Sequence, residues 1–250
     1  MNKYLTGAVI GEGTYGTVYK ATCQKTGKEF ALKCHKRGVE DATVRELSCL
    51  TVLQGHPYVI QIHECVIHNG MMAMLMSYAP YTLSNVIHSG HLCHEQVRAL
   101  EIIPLSFVAR FSVQVAEALL YMHRLNLVHR DLTPFNVLLT EDLTVQVADM
   151  GLSRHSCKWM AYRAPELFVE GGTSEDHPDA SLMPWDPKTL MPKVMECALV
   201  KRIVFQLLAF HANERLLAHA LLKDTEWTEA AHMTKEDRDL VRDRIYRQRV

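Results

Sequence analysis

Residues 10–18 read IGEGTYGTV, in which Gly11, Gly13 and Gly16 lie between two segments with strand character. Because glycine has no Cβ, a hairpin of this composition lets the backbone approach phosphate oxygens closely. A dinucleotide-binding fold would require these glycines to open a helix, whereas the residues after Gly16 are β-branched and predict a strand. The run therefore predicts a phosphate-facing β-hairpin.

The composition of the 250 residues is that of a globular protein, with 48% hydrophobic and 22% charged residues. The formal net charge of -1 gives no overall field that would draw the chain to nucleic acid or to a membrane surface. No apolar run reaches the roughly 18 to 20 residues of a membrane helix, and no secretory signal pattern is evident, so we expect a cytoplasmic or nuclear protein. The seven cysteines are never spaced as CxxC, which argues against a disulfide framework or a zinc ribbon.

Short strand patterns alternate with turns over the first 80 residues, at 5–10, 16–22, 29–34, 59–67 and 71–76. A helix is predicted over 41–54, because Val44, Leu47, Leu50 and Leu53 recur at every third position. This part of the chain therefore predicts an antiparallel sheet that carries one helix.

Beyond Pro80 the pattern becomes helical, with long apolar segments at 107–124 and 194–210. The segment 88–94 holds three histidines and a cysteine at irregular spacing, which favours a surface loop over a metal site. The tail 235–249 carries both signs of charge and predicts a solvated helix or a frayed end.

Further motifs follow the glycine run in a fixed order. They are Ala31-Leu32-Lys33, Glu46 in the predicted helix, His129-Arg130-Asp131 with Asn136, Asp149-Met150-Gly151, and Ala164-Pro165-Glu166. A lysine at the end of an apolar strand is costly unless it meets an anion. Glu46 and a nucleotide phosphate are the two candidates for that anion of Lys33.

With these motifs, the sequence resembles the eukaryotic protein kinases, and most closely the cyclin-dependent kinase group through IGEGTYGTVYKA, GVEDATVREL and YRAPE. The resemblance implies an α+β, two-lobed kinase fold. Residues 1–80 would form an N-lobe of antiparallel sheet and one helix, residues 81–227 a mainly helical, truncated C-lobe, and residues 228–250 a charged tail. It also implies a serine/threonine kinase with ATP and Mg²⁺ as cofactors, a protein substrate and a cyclin-like activator as a candidate partner.

The resemblance assigns catalytic roles to five residues. Lys33 would hold the α and β phosphates, and Glu46 would orient Lys33. Asp131 would accept the proton of the substrate hydroxyl, while Asn136 and Asp149 would hold magnesium. The nucleotide-binding set that it implies is Ile10, Gly11, Gly13, Gly16, Val18, Ala31, Lys33, Met76, Tyr78, Ala79 and Leu138. Within this set, Val18, Ala31 and Leu138 would enclose the adenine, and the backbone of Tyr78 and Ala79 would bond to it.

The sequence departs from the family pattern at places that bear on activity. Thr133 stands where the family has a lysine, Met150 replaces a phenylalanine, and the segment from Asp149 to Glu166 is short. The family's central C-lobe helix is missing after Glu166, as if deleted near Gly171, and the segment 194–210 is the candidate to fill its space. The alternative function is therefore a nucleotide-binding pseudokinase or scaffold with impaired catalysis.

Overall fold

The computed structural model describes residues 3–13, 16–36, 39–68, 71–87, 103–150, 196–209 and 211–247. Within them, the N-terminal part is a five-stranded antiparallel sheet with the order β1-β2-β3-β5-β4. Its strands are β1 (Tyr4–Glu12), β2 (Gly16–Cys23), β3 (Glu29–His35), β4 (Ile62–His68) and β5 (Met71–Ser77). The predicted sheet is confirmed, although its fourth strand begins at Ile62 and not at residue 59.

Alternation along β3 gives the sheet two different faces. Phe30, Leu32 and Cys34 belong to an apolar cluster on one face. Successive side chains of a strand point to opposite faces, so Ala31 and Lys33 lie on the other one. This second face is the one that meets the helix and the catalytic residues.

The helix α1 (Asp41–Val52) follows β3 and is the one predicted from the apolar repeat. Leu50 and Leu53 are fully buried but Val44 is 51% exposed, so the four apolar residues of the repeat do not form one buried stripe. A helix turns by about 100° per residue, so a repeat of three drifts by about 60° at each step. The last members of the repeat therefore face the core when the first does not.

After β5 the chain is mainly helical, as predicted, and also holds a three-stranded sheet of β6 (Tyr81–Thr82), β7 (Val137–Leu139) and β8 (Val145–Val147). The helices of the described part are α2 (Leu83–Ile87), α3 (Leu105–Arg124), α4 (Ala198–Leu207), α5 (Ala218–Leu221), α6 (Thr225–Ala230) and α7 (Lys235–Arg247), with a 3-10 turn at Ala212–Glu214. The domain boundaries expected after residues 80 and 227 stay predictions.

The central helix of the described C-terminal part is α3. Phe107 and Met122 of this helix lie in the main core, and Gln114 Oε1 accepts a hydrogen bond from the backbone N–H of Val145 at 2.9 Å. By length and a mean hydropathy of 1.2, α3 is the one helix among the described residues that meets the criteria for a membrane span, contrary to the expectation that no such stretch exists. Its contacts are those of a core helix.

The helix expected over 194–210 spans Ala198–Leu207 in the structure, and Ile203 is its one buried residue. Ile203 packs with Trp227 and residues of α3 in a cluster separate from the main core. Phe205 and Leu207 are 40% and 41% exposed. The hypothesis that this segment fills the space of a buried central helix stays a prediction, and in the described residues Ile203 is the one side chain of α4 that is buried.

Several predicted features lie outside the described residues. These are the loop 88–94, the segment from Gly151 to Glu166 and the apparent deletion near Gly171.

The charged tail forms α7, and it is not a solvated helix. Val241 and Ile245 are each 1% exposed and belong to the main core. The guanidinium Nε of Arg244 donates to the backbone carbonyl of Val86 at 2.6 Å, and the hydroxyls of Tyr246 and Tyr81 are 2.8 Å apart. The last described helix is thus an integral part of the fold.

Candidate nucleotide and catalytic site

A buried lysine bridges two acidic residues at the centre of the site. Lys33 Nζ lies 2.6 and 2.8 Å from the two carboxylate oxygens of Glu46 and 3.1 Å from Oδ1 of Asp149. Lys33 is 9% and Glu46 4% exposed. Residues from β3, α1 and the segment after β8 therefore meet at one ammonium group. The contact with Glu46 was predicted, whereas the contact with Asp149 was not.

The two carboxylates decide the protonation of this lysine. Burial alone would lower the pKa of Lys33, but the negative charges of Asp149 and Glu46 outweigh it and hold the pKa above its usual range. Lys33 is therefore a fixed positive charge, ready to neutralise an anion that enters from the open side of the site.

A neutral histidine joins the two catalytic loops. The ring nitrogen Nδ1 of His129 accepts from the backbone N–H of Asp131 at 3.3 Å, so Nε2 carries the proton and donates to the carbonyl of Ala148 at 2.9 Å. Burial lowers the pKa of His129, which keeps the ring neutral. The loop of Asp131 is thereby tied to the residue that precedes Asp149.

Asn136 orients Asp131 within its own loop. Its amide Nδ2 donates to the main-chain carbonyl of Asp131 at 2.8 Å and to carboxylate oxygen Oδ2 at 3.3 Å. In addition, the N–H of Ala148 donates to the main-chain carbonyl of Asn136 at 2.9 Å. One carboxylate oxygen of Asp131 thus remains for a substrate group.

A backbone connection between the segment before β4 and the strand β8 fixes the position of Asp149. Val59 forms a parallel bridge with Val147, in which the N–H of Ile60 donates to the carbonyl of Val147 at 3.0 Å. Asp149 itself has φ of 63°, in the left-handed region that few residues other than glycine occupy. Strain of this kind is concentrated at functional sites, where the surroundings hold the residue in place.

The glycine run forms the predicted hairpin between β1 and β2, and the N–H of Gly13 donates to the carbonyl of Gly16 at 3.0 Å. A Cβ on Gly16 would lie 2.5 Å from the carbonyl oxygen of Cys34 on β3, closer than van der Waals contact permits. Gly13 has open space at the same position. The strand pairing of β2 with β3 therefore requires glycine at position 16.

The residues expected around the adenine share the sheet face of Lys33. Val18 is the cross-strand partner of Lys33, and Met76 is the partner of Ala31. Cross-strand partners project from the same side of a sheet, so these four side chains lie on one surface. Leu138 of β7 contacts the apolar cluster that also contains Met76. Ile10 is at the exposed rim, and Tyr78 and Ala79 form the connection between β5 and β6.

The donor set suits a magnesium ion shared with a nucleotide. Nδ2 of Asn136 is committed to Asp131, which leaves its amide oxygen, and Asp149 offers a carboxylate that is 26% exposed. Magnesium prefers oxygen ligands and is bound in phosphate sites through one or two carboxylates together with the phosphates. The described residues contain no group of three or more histidine, cysteine or acidic side chains that could hold a metal on its own.

Nucleotide-dependent phosphotransferases combine a glycine-rich loop over the phosphates with a lysine, metal-binding groups and a carboxylate for the attacking hydroxyl, and the described residues bring the same residue types together. The protein kinase domain matches residues 4–179, and the chain belongs to the protein kinase family.

Sequence similarity to three known kinases indicates which group of protein kinases the chain resembles. The chain is 33% identical over 194 residues to the serine/threonine-protein kinase ssn3 of Aspergillus terreus, an alignment that covers 67% of the chain and 43% of that protein. It is 33% identical over 190 residues to a probable cell division protein kinase of Encephalitozoon cuniculi, covering 70% and 65%. It is 29% identical over 175 residues to cyclin-dependent kinase 2 of Caenorhabditis elegans, covering 64% and 46%. The resemblance to the cyclin-dependent kinase group is confirmed, and the matched region spans less than two thirds of each relative's length.

The sequence predicted the charged residues of the site, but not the contacts that hold their loops in place. The role of His129 as a bridge between the loops was signalled by its place beside Asp131, although the motif alone does not show which groups it bonds. The bridge between Val59 and Val147 had no signal, because it joins backbone atoms of residues far apart in the chain.

Proposed function

We propose that this chain is a cyclin-dependent-kinase-like serine/threonine kinase that transfers the γ-phosphoryl group of Mg-ATP to a protein hydroxyl. One observation carries the proposal: carboxylate oxygens of Glu46 and Asp149 both lie within 3.1 Å of the ammonium nitrogen of Lys33. The names of the relatives support the serine/threonine class.

The proposed roles follow from the chemistry of phosphoryl transfer, which depends on positioning and on neutralising charge. Lys33 exchanges a carboxylate contact for the α and β phosphates, and Glu46 keeps its ammonium group in place. Asp131 accepts the proton of the attacking hydroxyl through the carboxylate oxygen that Asn136 leaves open. Magnesium, held by Asn136 and Asp149, supplies positive charge to the phosphates when bound.

A cyclin-like activator is the proposed partner beside the protein substrate. Val39, which precedes α1, and Val44 within it are 59% and 51% exposed, which leaves apolar surface beside and on the helix that carries Glu46. A cytoplasmic or nuclear location stays a prediction.

The test of the proposed function combines binding and turnover. Mg-ATP at about 100 times its dissociation constant is expected to add about 2.7 kcal/mol to the free energy of unfolding, measured by thermal shift. Purified protein is then incubated with labelled ATP and a generic protein substrate, beside Asp131→Asn. Transfer by the wild type but not by the variant supports the kinase. Stabilisation without any transfer above that of the variant would identify a nucleotide-binding scaffold instead.

Replacing Thr133 by lysine is expected to raise the turnover number. The lysine would add a charge-assisted hydrogen bond to the transferred group, worth about 1.5 to 3 kcal/mol, which corresponds to roughly a tenfold to hundredfold rate increase. Steady-state kinetics of Thr133→Lys measures it, with Thr133→Met as the control for side-chain length. An equal rate for both variants would show that charge at this position does not limit the reaction.

A further inference from the structure

A second buried contact joins β3 to α1 beside the ion pair. Nδ1 of His35 lies 3.1 Å from the hydroxyl oxygen of Thr43, and each residue is 3% exposed. His35 ends β3, and Thr43 lies in the first turn of α1. Neither residue is among the catalytic or nucleotide-binding residues that the resemblance assigns.

The position of this contact is tied to that of the ion pair. His35 follows Lys33 by two residues, so both side chains leave the same face of the strand, about 6.6 Å apart. Thr43 precedes Glu46 by three residues, which places both on the same side of the helix, about 4.5 Å apart along its axis. The contact and the ion pair therefore form two adjacent connections between one strand and one helix.

The His35 ring is committed to Thr43. Its other nitrogen, Nε2, is buried and makes no hydrogen bond within the described part of the chain. Burial lowers the pKa of His35, with the charge of Lys33 acting in the same direction, against the smaller opposite effects of Asp149 and Glu40. The ring is therefore neutral, and its bond to Thr43 joins two uncharged groups.

This neutrality matters for the reaction. When phosphates enter, Lys33 redistributes its contacts among anions, whereas the bond between His35 and Thr43 involves no group that meets the nucleotide. A connection that persists through this exchange can keep the helix in register with the strand.

We propose that His35 and Thr43 are positioning residues that hold α1 against β3, so that Glu46 stays within bonding distance of Lys33. The consequence for turnover rests on the proposed kinase function, but the consequence for the helix does not.

The test uses two substitutions that separate the hydroxyl from the methyl group of Thr43. Thr43→Val keeps the shape and removes the hydrogen bond, while Thr43→Ser keeps the hydroxyl and removes the methyl group. Thr51→Val is the matched control, because the hydroxyl of Thr51 bonds only within the helix, to the carbonyl of Leu47, at an exposed position. Hydrogen exchange of the α1 backbone amides is measured by mass spectrometry in all three variants and the wild type.

Exchange of the α1 amides is expected to be about tenfold faster in Thr43→Val and close to the wild-type rate in Thr43→Ser and Thr51→Val. Unchanged exchange in Thr43→Val, or equally fast exchange in Thr43→Ser, would overturn the proposal, the latter because it would assign the effect to packing.

A second arm measures turnover of the folded proteins. A kcat about tenfold lower in Thr43→Val, recovered in Thr43→Ser with little change in the KM of the protein substrate, supports positioning. Wild-type kcat in a Thr43→Val protein with fast exchange would overturn it. If the wild type transfers no phosphate, the proposed function fails, and the exchange measurements still decide whether the helix is held in this way.

Discussion

Lys33→Met is expected to lower the free energy of unfolding by about 3 to 5 kcal/mol, in addition to removing nucleotide binding. The substitution leaves the carboxylate of Glu46, which is 4% exposed, without its cation. An unpaired buried charge costs far more than the pair itself contributes, because its desolvation is no longer offset. Urea unfolding followed by circular dichroism measures the loss.

The deficit should depend on pH in a defined direction. Burial raises the pKa of Glu46 and Lys33 opposes this, so removal of Lys33 raises the pKa further. Below about pH 4 Glu46 is protonated in both the folded and the unfolded chain, and the difference between variant and wild type is smallest. The unfolded-state titration of Glu46 is common to both proteins and cancels in their difference. As the pH rises, Glu46 of the folded wild type releases its proton before Glu46 of the folded variant, so the deficit grows until the pH exceeds the higher folded-state pKa of the variant.

Two further variants serve as controls for Lys33→Met. Lys3→Met breaks an exposed ion pair with Glu64 of similar length, 2.7 Å, and is expected to unfold like the wild type. The double variant Lys33→Met/Glu46→Leu removes both charges and should regain most of the lost stability. If Lys33→Met unfolds like Lys3→Met, the buried pair does not have the energetic weight that its geometry implies.

The ion pair of Lys33 with Glu46 could be predicted from the sequence, because the residue types alone indicate it. A lysine ending an apolar strand needs an anion, and the sequence offered Glu46 as its partner, which the structure places at 2.6 Å. The second contact of Lys33, with Asp149 at 3.1 Å, was not predicted, because the motif assigned Asp149 to magnesium. The five-stranded sheet was equally accessible, because period-two patterns and turn residues are local signals.

What could not be predicted depends on contacts between distant segments. The three-residue strands β7 and β8 are too short to carry a period, and their pairing is stabilised by the elements packed around them. Val44 is exposed because residues spaced three apart do not stay on one face of a helix with about 3.6 residues per turn. The hydrogen bond between His35 and Thr43 joins two residue types that are common in many other settings.

The helix α7 shows the same limit most clearly. Its sequence, KEDRDLVRDRIYR, is dominated by charge and by itself favours a solvated helix. Val241 and Ile245 are four residues apart, so they project from the same side, and two such residues are enough to anchor a helix against a core. The polar residues beside them reach backbone groups of other elements, as Arg244 does with the carbonyl of Val86.

Ile245→Ala is therefore expected to lower the free energy of unfolding by about 2 to 5 kcal/mol, a large part of the 5 to 15 kcal/mol that a typical domain possesses. Ile245 lies in the same apolar cluster as Val137 and Val147. Val137 begins β7 directly after Asn136, and Val147 ends β8 two residues before Asp149. Its truncation leaves a cavity in the core that supports the catalytic loops, and not only at the end of the chain.

The control lies on the same helix. Leu240 is 48% exposed, so Leu240→Ala should change the free energy of unfolding by less than about 0.5 kcal/mol. Chemical denaturation of both variants, with Mg-ATP binding measured on the folded protein, compares the two sites directly. Equal stability of the two variants would mean that α7 is held by its polar contacts alone. A loss confined to Ile245→Ala, accompanied by weaker nucleotide binding, would show that the C-terminal helix is required to keep the nucleotide site assembled.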